Sequence, residues 1–487
     1  MRVSLLLIVI PTVIGVPACI NQFNPPQNRN ALTWYPSNFT KTTVPMFPNN
    51  FDCEYGINVP QGWYVKIQLS VTCTNCNVGK DYDVVITDQL QRTERVSFAD
   101  EERFYFIANG GKIKLTTRTD TVQFGFTMLW QPYSNTPPAL LNVSQSDTQP
   151  TLIVRNGAQP AVVRGETKVS ATVLAPQWSG ENQYFRGIIF FDGPTWNATC
   201  LGTALQLFKG NTQYVSSENY MSVLILEAFS FDYIDILLQD YSHTKDIVQF
   251  QGMECNLYER CECVKMMDAS KGPVVFQTYT PVSRWANVIT GISGTGNLDV
   301  YIGGITSSNG TNLIASYQAD KNNSLNLPQQ FLGPIKTYVL TGGVANITMS
   351  DISNVFEETN SLPRHGFISS NRYGSYSTSQ GSRSEITSPN LQRIKYSYSI
   401  QNVDFSGNAT LKVIGYLNRS LAFSKLYNHS SSLALEQFYG DTLYVDFRTE
   451  SLPNTGFYLS FEMENANGSS KFCVFSALLM VFVGYFF

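Results

Sequence analysis

Charged residues are scarce in this sequence. Asp, Glu, Lys and Arg make up 14% of the 487 residues, against about 25% in ordinary soluble domains. The formal net charge is −4, and no basic cluster exceeds two adjacent residues. Nucleic acid binding depends on Lys and Arg side chains that neutralise phosphates. We therefore expect no nucleic acid partner.

Histidine is rarer still, and common catalytic patterns are missing. The three histidines, His243, His365 and His429, lie in polar or turn-like stretches. The sequence contains neither a Gly-x-Ser-x-Gly nucleophile elbow nor a Gly-rich phosphate loop before a helix. The adjacent Glu101 and Glu102 would point to opposite faces of a strand, so we interpret them as a solvated turn. These patterns predict a non-enzyme.

The N-terminus has the layout of a secretory signal peptide. Arg2 precedes the apolar run Leu5–Ile14, and Val16-Pro17-Ala18 places small residues at a cleavage position. The run is too short to span a membrane, which takes roughly 20 apolar residues. We predict cleavage after Ala18, so that residues 1–18 are removed.

The C-terminus carries a hydrophobic tail, Phe472–Phe487, with small residues just upstream of it. This arrangement is typical of a glycosylphosphatidylinositol (GPI) attachment signal. We predict that residues 465–487 form this signal, with the lipid on Asn465 or Asn467. A retained membrane helix is the alternative, although no Lys or Arg follows the tail as a cytoplasmic stop signal.

Cysteine usage agrees with export. Apart from Cys473 in the tail, eight cysteines remain, and an even number in an oxidising compartment predicts disulfides. Proximity favours Cys19 with Cys53 and Cys73 with Cys76. Zinc binding through Cys73 and Cys76, or through Cys261 and Cys263, is the alternative. The disulfide candidates are Cys19, Cys53, Cys73, Cys76, Cys200, Cys255, Cys261 and Cys263.

Asn-x-Ser/Thr sequons are frequent, and in an exported chain they predict surface glycosylation. A further sequon at Asn467 coincides with a predicted lipid attachment residue. The predicted glycosylation sites are Asn38, Asn142, Asn197, Asn309, Asn322, Asn346, Asn408, Asn418 and Asn428.

Short alternating runs separated by Gly, Asn and Pro predict an all-β protein. Turn-rich stretches at 132–150 and 369–384, with a weaker break at 268–272, divide the chain. We predict four β domains and two linkers. The domains are 19–131, 151–267, 268–368 and 385–464, and the linkers are 132–150 and 369–384.

Recurring motifs predict that these domains are related. Asp81–Ile86 has an echo in Asp232–Leu237. In the first domain Arg118-Thr119-Asp120 precedes Gly125-Phe126, and in the fourth Arg448-Thr449-Glu450 precedes Gly456-Phe457.

The first domain resembles the CUB-like domain family that is expanded in nematodes. The resemblance implies tandem antiparallel β-sandwich (jelly-roll, CUB-like) domains and binding outside the cell rather than catalysis. It also implies a role in innate responses to pathogens at an epithelial surface. The matching residues are Trp34-Tyr35-Pro36, Asn38-Phe39-Thr40, Asn58-Val59-Pro60, Gly62-Trp63, Cys73, Asp81-Tyr82-Asp83, Thr119-Asp120 and Gly125-Phe126.

The resemblance also implies a calcium candidate. One class of CUB domains binds calcium through a Glu, an Asp after the third cysteine and an Asp before the Gly-Phe strand. Asp81 or Asp83 matches the second ligand and Asp120 the third, but Ser70–Thr72 stands where the Glu is expected. Calcium takes six or more oxygen ligands, so the missing Glu weakens the site. Asp side chains that stabilise turns are the alternative.

Aromatic residues make up 13% of the chain and offer two roles. Large rings fill sandwich cores, and exposed rings stack on sugars. We expect core placement, with a carbohydrate-binding face in the first domain as the alternative. The residues concerned are Trp34, Tyr35, Trp63, Trp130, Trp178, Trp196 and Trp285.

These features together predict an extracellular recognition glycoprotein, GPI-anchored at the plasma membrane or secreted. We expect it to bind glycans or proteins of microbial or host origin in innate defence. A structural adhesion or surface-coat glycoprotein is the first alternative. A glycan-acting hydrolase is the second, and it would require a deep pocket lined by paired carboxylates.

Overall fold

The computed structural model describes most of the chain between residues 17 and 466. The predicted leader before residue 17, Asn309, Asn467 and the hydrophobic tail lie outside the described residues, as do Trp178 and Trp285. The described ranges are 17–28, 31–39, 43–154, 159–174, 182–227, 235–255, 261–280, 287–306, 310–358, 361–450 and 452–466.

The protein is nearly all β. Strands account for 54% of the chain and helices for 5%, which confirms the predicted fold class. Among the described residues no helix has the length and apolar character to cross a membrane. The chain divides into two compact units, the first with residues up to Ser144 and Thr151–Ser242, the second with Gln145–Pro150 and residues from His243 onward.

The first domain is a sandwich of two sheets in the first unit. The strand orders are β1-β3-β8-β5-β6 and β2-β9-β4-β7. The strands are β1 (Gln22–Phe23), β2 (Thr33–Tyr35), β3 (Asp52–Ile57), β4 (Trp63–Cys73), β5 (Tyr82–Thr87), β6 (Thr93–Val96), β7 (Ala99–Phe106), β8 (Gly111–Thr117) and β9 (Val122–Pro132).

Alternation along the strands explains this sandwich. In β8, Ile113 and Leu115 are buried while Lys112 and Lys114 are exposed, because successive side chains on a strand point to opposite faces. Every second residue of both sheets therefore enters one core, which holds Tyr55, Phe124 and Trp130.

The second domain completes the first unit. Its sheets have the orders β10-β12-β17-β14-β15 and β11-β18-β13-β16. Its elements are β10 (Ala139–Val143), β11 (Thr151–Val154), β12 (Ala161–Gly165), β13 (Val169–Leu174), α1 (Asn182–Phe185), β14 (Ile188–Asp192), β15 (Thr199–Thr203), α2 (Ala204–Gly210), β16 (Tyr214–Val215), β17 (Tyr220–Ile225) and β18 (Asp235–Asp240).

The third domain lies in the second unit and begins after a 3₁₀ turn at Tyr241–His243. Its sheets have the orders β19-β21-β26-β23-β24 and β20-β27-β22-β25. Its strands are β19 (Gln249–Glu254), β20 (Cys263–Asp268), β21 (Val274–Tyr279), β22 (Asn287–Gly294), β23 (Asn297–Ile302), β24 (Leu313–Gln318), β25 (Gln329–Phe331), β26 (Ile335–Thr341) and β27 (Val344–Ser350).

The fourth domain follows a short helix and has two four-stranded sheets, β28-β35-β30-β33 and β29-β34-β31-β32. Two 3₁₀ turns, Pro389–Leu391 and Ser406–Asn408, lie in its loops. Its elements are α3 (Asn354–Glu357), β28 (Arg364–Ser369), β29 (Ser382–Thr387), β30 (Ile394–Val403), β31 (Thr410–Leu417), β32 (Ser420–Tyr427), β33 (Glu436–Gly440), β34 (Thr442–Arg448) and β35 (Phe457–Asn465).

The four domains share one topology. If the strands of each of the first three domains are numbered from one to nine, every domain has the sheet orders 1-3-8-5-6 and 2-9-4-7. Among its described residues the fourth domain has the same orders without the first strand. The pairs β1–β3, β10–β12 and β19–β21 are parallel, because strand two crosses to the other sheet between them. These three parallel pairs depart from the antiparallel pairing that the family resemblance implies.

The predicted domain boundaries need correction. The stretch 132–150 is not a free linker, since it contains β10, which pairs with β12. The third domain starts with β19 and β20, well before residue 268. The stretch 369–384 contains the end of β28 and the start of β29. Short strands amid Pro, Ser and Gly resemble loops in sequence, and only their pairing partners identify them.

Candidate binding groove between the first two domains

The first and second domains share an apolar contact. Tyr64, Tyr105 and Tyr133 of the first domain pack with Phe191 and Leu224 of the second in one buried cluster. Burying large side chains in this way stabilises by roughly 1.5–3 kcal/mol each. The two domains are therefore one packed body rather than separate modules on a flexible link.

A buried arginine reinforces this contact. Arg186, just before β14, donates from Nε and Nη2 to the two carboxylate oxygens of Glu94 at 2.9 and 2.8 Å. Nη2 also donates to Glu102 at 2.8 Å, and the guanidinium lies 4.0 Å over the ring of Phe104. This planar, bidentate arrangement is one that Arg can make and Lys cannot.

The environment of Glu94 holds it ionised. Burial raises the pKa of its carboxyl, but hydrogen bonds and charge attraction from Arg186 and Lys209 outweigh that effect and lower the pKa below its usual value. Lys209 on α2 approaches Glu94 within 3.0 Å. Both domains thus contribute charges to one network.

A second polar contact crosses the same boundary. Glu227, after β17, lies 2.5 Å from Lys66 and 3.4 Å from Arg103. It also accepts a hydrogen bond from the Tyr105 hydroxyl at 3.0 Å. Burial and the negative charge of Glu227 together raise the pKa of Tyr105, so this hydroxyl stays protonated as a donor.

Between these contacts the surface forms a groove of about 470 Å³, called here the interdomain groove. Side chains of both domains line it. Its principal lining residues are Arg92, Glu94, Tyr105, Gln206, Lys209 and Tyr214.

Arg92 reaches across the interdomain groove from the turn before β6. Its Nη1 donates to Gln206 Oε1 at 2.6 Å and to the Tyr214 hydroxyl at 3.2 Å. Its Nη2 donates to the Leu201 carbonyl at 3.0 Å. Arg92 is solvent-exposed, so a ligand in the groove could reach the guanidinium.

Local sequence positions Gln206. Thr203 caps α2 by accepting from the Gln206 backbone, and the Gln206 side chain accepts from the Thr203 backbone, which is a capping box. The amide of Gln206 also donates to Asp88 of the first domain. The start of α2 is therefore fixed against the turn that carries Arg92.

The chemistry of the interdomain groove suits a polar ligand. Arg, Gln and Tyr side chains offer donors and acceptors in planar groups, and aromatic rings give flat apolar surfaces beside them. Convergent polar groups in a partly apolar cleft are typical of ligand sites. The groove can hydrogen-bond hydroxyl, amide or carboxylate groups of a sugar or peptide.

The calcium candidates are held in other contacts. Asp83 forms an ion pair with Arg95 at 2.9 Å, and Asp81 accepts from the backbone N–H of Asn77 at 2.8 Å. Asp120 is exposed. In the described part of the chain no group of three His, Cys, Asp or Glu side chains is arranged to hold a metal ion.

Cysteines form three disulfides among the described residues. Cys19 pairs with Cys53, Cys73 with Cys76, and Cys255 with Cys261. The structure does not support zinc binding by these cysteines, because three of the four proposed ligands, Cys73, Cys76 and Cys261, are in disulfides. Cys200 and Cys263 have free thiols.

Glu102 does not lie in a solvated turn. It belongs to β7 and contacts Arg186, because the second domain brings a cation to this strand. Of the other predicted residues, Asn465 is the exposed last residue of β35.

The predicted glycosylation sites lie at the surface in most cases. Asn428 is half-buried. The exposed sites are Asn38, Asn142, Asn197, Asn322, Asn346, Asn408 and Asn418.

The aromatic candidates divide between core and surface. Tyr35 and Trp130 are buried in the first core, and Trp130 Nε1 donates to the Asn58 carbonyl at 2.9 Å. Trp63 and Trp196 are half-buried, and Trp34 is 36% exposed. The interdomain groove instead uses Tyr105 and Tyr214, which the sequence patterns did not single out.

Comparison with known families agrees with the first-domain resemblance. Residues 17–134 match the model of the CUB-like domain. Residues 142–226 match a domain of unknown function, DUF7592, and residues 242–352 match another, DUF7591. CUB-like domains are typically extracellular and generally non-catalytic, and they indicate a binding or recognition protein.

Solved structures show only distant similarity. The CUB1-EGF-CUB2 domain of human MASP-1/3 has 11% identity and a TM-score of 0.16, over 44% of this chain and 99% of that one. The same region of rat MASP-1 has 10% identity and a TM-score of 0.16, over 43% and 99%. The extracellular region of zebrafish Gpr126/Adgrg6 has 8% identity and a TM-score of 0.19, over 92% and 57%.

Comparison with curated proteins found no match. The two domains of unknown function have the same sheet orders as the CUB-like domain that precedes them.

Proposed function

We propose that this protein is an extracellular, non-catalytic recognition glycoprotein that binds glycoconjugates or proteins in innate defence at an epithelial surface. The observation that carries the proposal is the interdomain groove beside the CUB-like domain, where Arg92 joins Gln206 and Tyr214. Its exposed guanidinium and planar polar neighbours suit hydroxyl-rich or acidic ligands.

The chain would act at the outer face of the plasma membrane through its predicted lipid anchor, or as a secreted protein. Phosphatidylinositol-specific phospholipase should release the protein from intact cells. Retention after treatment that releases a known GPI-anchored protein would favour a membrane helix.

Recognition is tested by presenting the secreted ectodomain, residues 19–464, to intact microbes and to a glycan panel. We expect saturable binding to a defined class of surface. A parallel series with and without calcium tests Asp81, Asp83 and Asp120. We expect no calcium dependence, since Asp83 is paired with Arg95.

A structural adhesion or coat glycoprotein is the second candidate. It is favoured by exposed sequons in all four domains, such as Asn38, Asn142, Asn322 and Asn418, because dense glycans keep a low-charge surface hydrated. Absence of binding to every microbe and glycan, together with retention of the protein in an extracellular layer, would support this candidate.

A further inference from the structure

The fourth domain leaves the edge of one strand open. β32 ends the sheet β29-β34-β31-β32 and pairs on one side with β31. Within the described ranges no strand pairs with its other side. An open edge presents free N–H and C=O groups that can pair with another chain.

β32 is also apolar for an exposed strand. Leu421 is 65% exposed and Leu426 57%. They lie opposite Tyr416 and Lys412 on the solvent face of the sheet. A bulge at Gly415/Tyr416 shifts the register by one residue, which brings both leucines to this face although they are an odd number of positions apart.

The usual protection of an edge strand by charge is weak here. Lys425 is the one charged residue in β32, and it is paired with Glu436. Lys425 lies opposite the buried Val413, so β32 places no charged side chain on the face that carries the two exposed leucines. Exposed leucines beside an open edge are the features of a strand that would add to a copy of itself.

Sequons stand at both ends of this strand. Asn418 and Arg419 form the two-residue turn between β31 and β32, with φ of 50° and 62°, as in a type I′ hairpin. Asn418 is exposed at the tip. Asn428 directly follows β32, and its Oδ1 accepts from the hydroxyls of Ser430 and Ser431 at 2.8 and 3.1 Å.

We propose that N-glycans on Asn418 and Asn428 shield the open edge of β32 and keep the fourth domain from pairing with the same edge of a second copy. The inference rests on the proposed glycoprotein character of the chain. At about 3.3 Å per residue, the eight residues of β32 span roughly 26 Å. A strand paired along this length would meet a bulky, hydrated glycan at each end.

The experiment compares the full ectodomain with the variant Asn418→Gln/Asn428→Gln. Light scattering after size-exclusion chromatography, over a range of concentrations, gives the protein mass after correction for glycan. We expect a monomer for the unchanged protein. For the variant we expect a concentration-dependent increase toward about twice that mass, as two open edges pair.

A matched control removes two sequons elsewhere. Asn38→Gln/Asn322→Gln deletes the same number of glycans from exposed positions in the first and third domains, and we expect it to remain monomeric. Leu421→Lys added to the Asn418→Gln/Asn428→Gln variant should restore the monomer, because a lysine at the edge blocks strand addition.

Two further routes keep the test decisive if the glutamine variant is poorly secreted. Ser420→Ala/Ser430→Ala removes both sequons and leaves the asparagines. Peptide N-glycosidase removes glycans from the folded protein. Self-association after either treatment would support the shield.

The result that would overturn the proposal is equal mass for the unchanged and deglycosylated proteins at every concentration. Mass spectrometry of the secreted protein separates this failure from failure of the glycoprotein proposal. Glycans at other sites, with Asn418 and Asn428 unmodified, would overturn the shield alone. Absence of all N-glycans would overturn both.

Discussion

The first and fourth domains have the same strand order but are stabilised by different means. The first has two disulfides, Cys19–Cys53 and Cys73–Cys76. The fourth, residues 361–466, has no cysteine in its sequence. Its core instead stacks Phe438 between Tyr396 and Phe423, with ring centres 5.0 and 5.1 Å apart.

The two domains also differ in what they bury. Both cores contain aromatic rings, and in the first Tyr35 lies 4.7 Å from Tyr55 and 5.1 Å from Phe126. The fourth begins with a buried cation, Arg364, 2% exposed. The alternating pattern and the order of the strands therefore specify this topology, and each domain stabilises it with different side-chain contacts.

The largest effect should come from removing the buried cation of the fourth domain. Arg364 donates to the carbonyls of Phe356 and Pro328, each at 2.9 Å, and lies over the Phe356 ring. Arg364→Ala leaves both buried carbonyls without this donor and removes the packing of a buried side chain, so we expect the free energy of unfolding to fall by about 5 kcal/mol. Hydrogen exchange of β28 and β35 in the intact ectodomain measures this loss.

The control is Arg383→Ala. Arg383 is 66% exposed, and the buried Asp446 with which it pairs keeps a second partner, Arg448, at 2.8 Å, so removal of Arg383 should cost less than about 1 kcal/mol. Equal hydrogen-exchange protection of β28 and β35 in the two variants would show that burial of Arg364 does not stabilise the fourth domain.

The next largest effect concerns the covalent links of the first domain. Cys19 and Cys53 are 34 residues apart, and loop-closure entropy predicts a loss of about 4 kcal/mol in Cys19→Ala/Cys53→Ala. Cys73 and Cys76 are 3 residues apart, so their removal should cost only about 1.5 kcal/mol. Hydrogen exchange of β3 and β8 measures both.

Protection of the fourth domain should stay unchanged in both cysteine variants. A fourth domain that loosened together with the first would contradict the view that each domain stabilises its own core.

The third domain extends the comparison to a buried lysine. Lys336 on β26 is fully buried beside the Thr280 hydroxyl at 2.8 Å, and burial lowers its pKa to about 7. The unfolded chain binds this proton up to about pH 10.4. The penalty for burying lysine is therefore complete below pH 7 and disappears as pH rises toward 10.4.

Between pH 7 and 8.5 we expect the free energy of unfolding of the third domain to rise by about 1.5 kcal/mol more in the unchanged protein than in the Lys336→Met variant. Hydrogen exchange of β21 and β26, corrected for the intrinsic effect of pH on exchange, gives the difference. Parallel pH profiles for the two proteins would mean that Lys336 remains charged.

The smallest effect should come from exposed ion pairs such as Lys112–Glu54 at 2.8 Å, where both side chains are about half exposed. Lys112→Ala should cost about 0.5 kcal/mol or less, and 1 M salt should remove most of the difference. A loss of stability above 2 kcal/mol would show that surface ion pairs, like the disulfides and the cores, are major determinants of the stability of this fold.

Sequence patterns predicted the features that depend on nearby residues. Alternating runs predicted the all-β fold, and proximity suggested the pairs Cys19–Cys53 and Cys73–Cys76, which the structure contains. The cap Thr203-x-x-Gln206 could have located the start of α2. Such signals are readable because both partners lie close together in the chain.

The interdomain groove could not be predicted in this way. Arg186 and Glu94 are 92 residues apart, and nothing local in either segment specifies the other. Asp83 has the spacing of a calcium ligand, yet the β5–β6 pairing places Arg95 beside it. Contacts between domains depend on how the folded domains pack against each other. Composition and periodicity do not identify the individual residue pairs that make these contacts.

The most direct test of the recognition account compares two arginines that are three residues apart. Arg92 reaches across the interdomain groove to Gln206 and Tyr214, whereas Arg95 pairs with Asp83 and does not line the groove. Binding of Arg92→Ala and Arg95→Ala ectodomains is measured on the surface that the unchanged protein recognises. The account predicts at least about tenfold weaker binding for Arg92→Ala and nearly unchanged binding for Arg95→Ala. Equal affinities for the two variants would contradict the assignment of recognition to this groove.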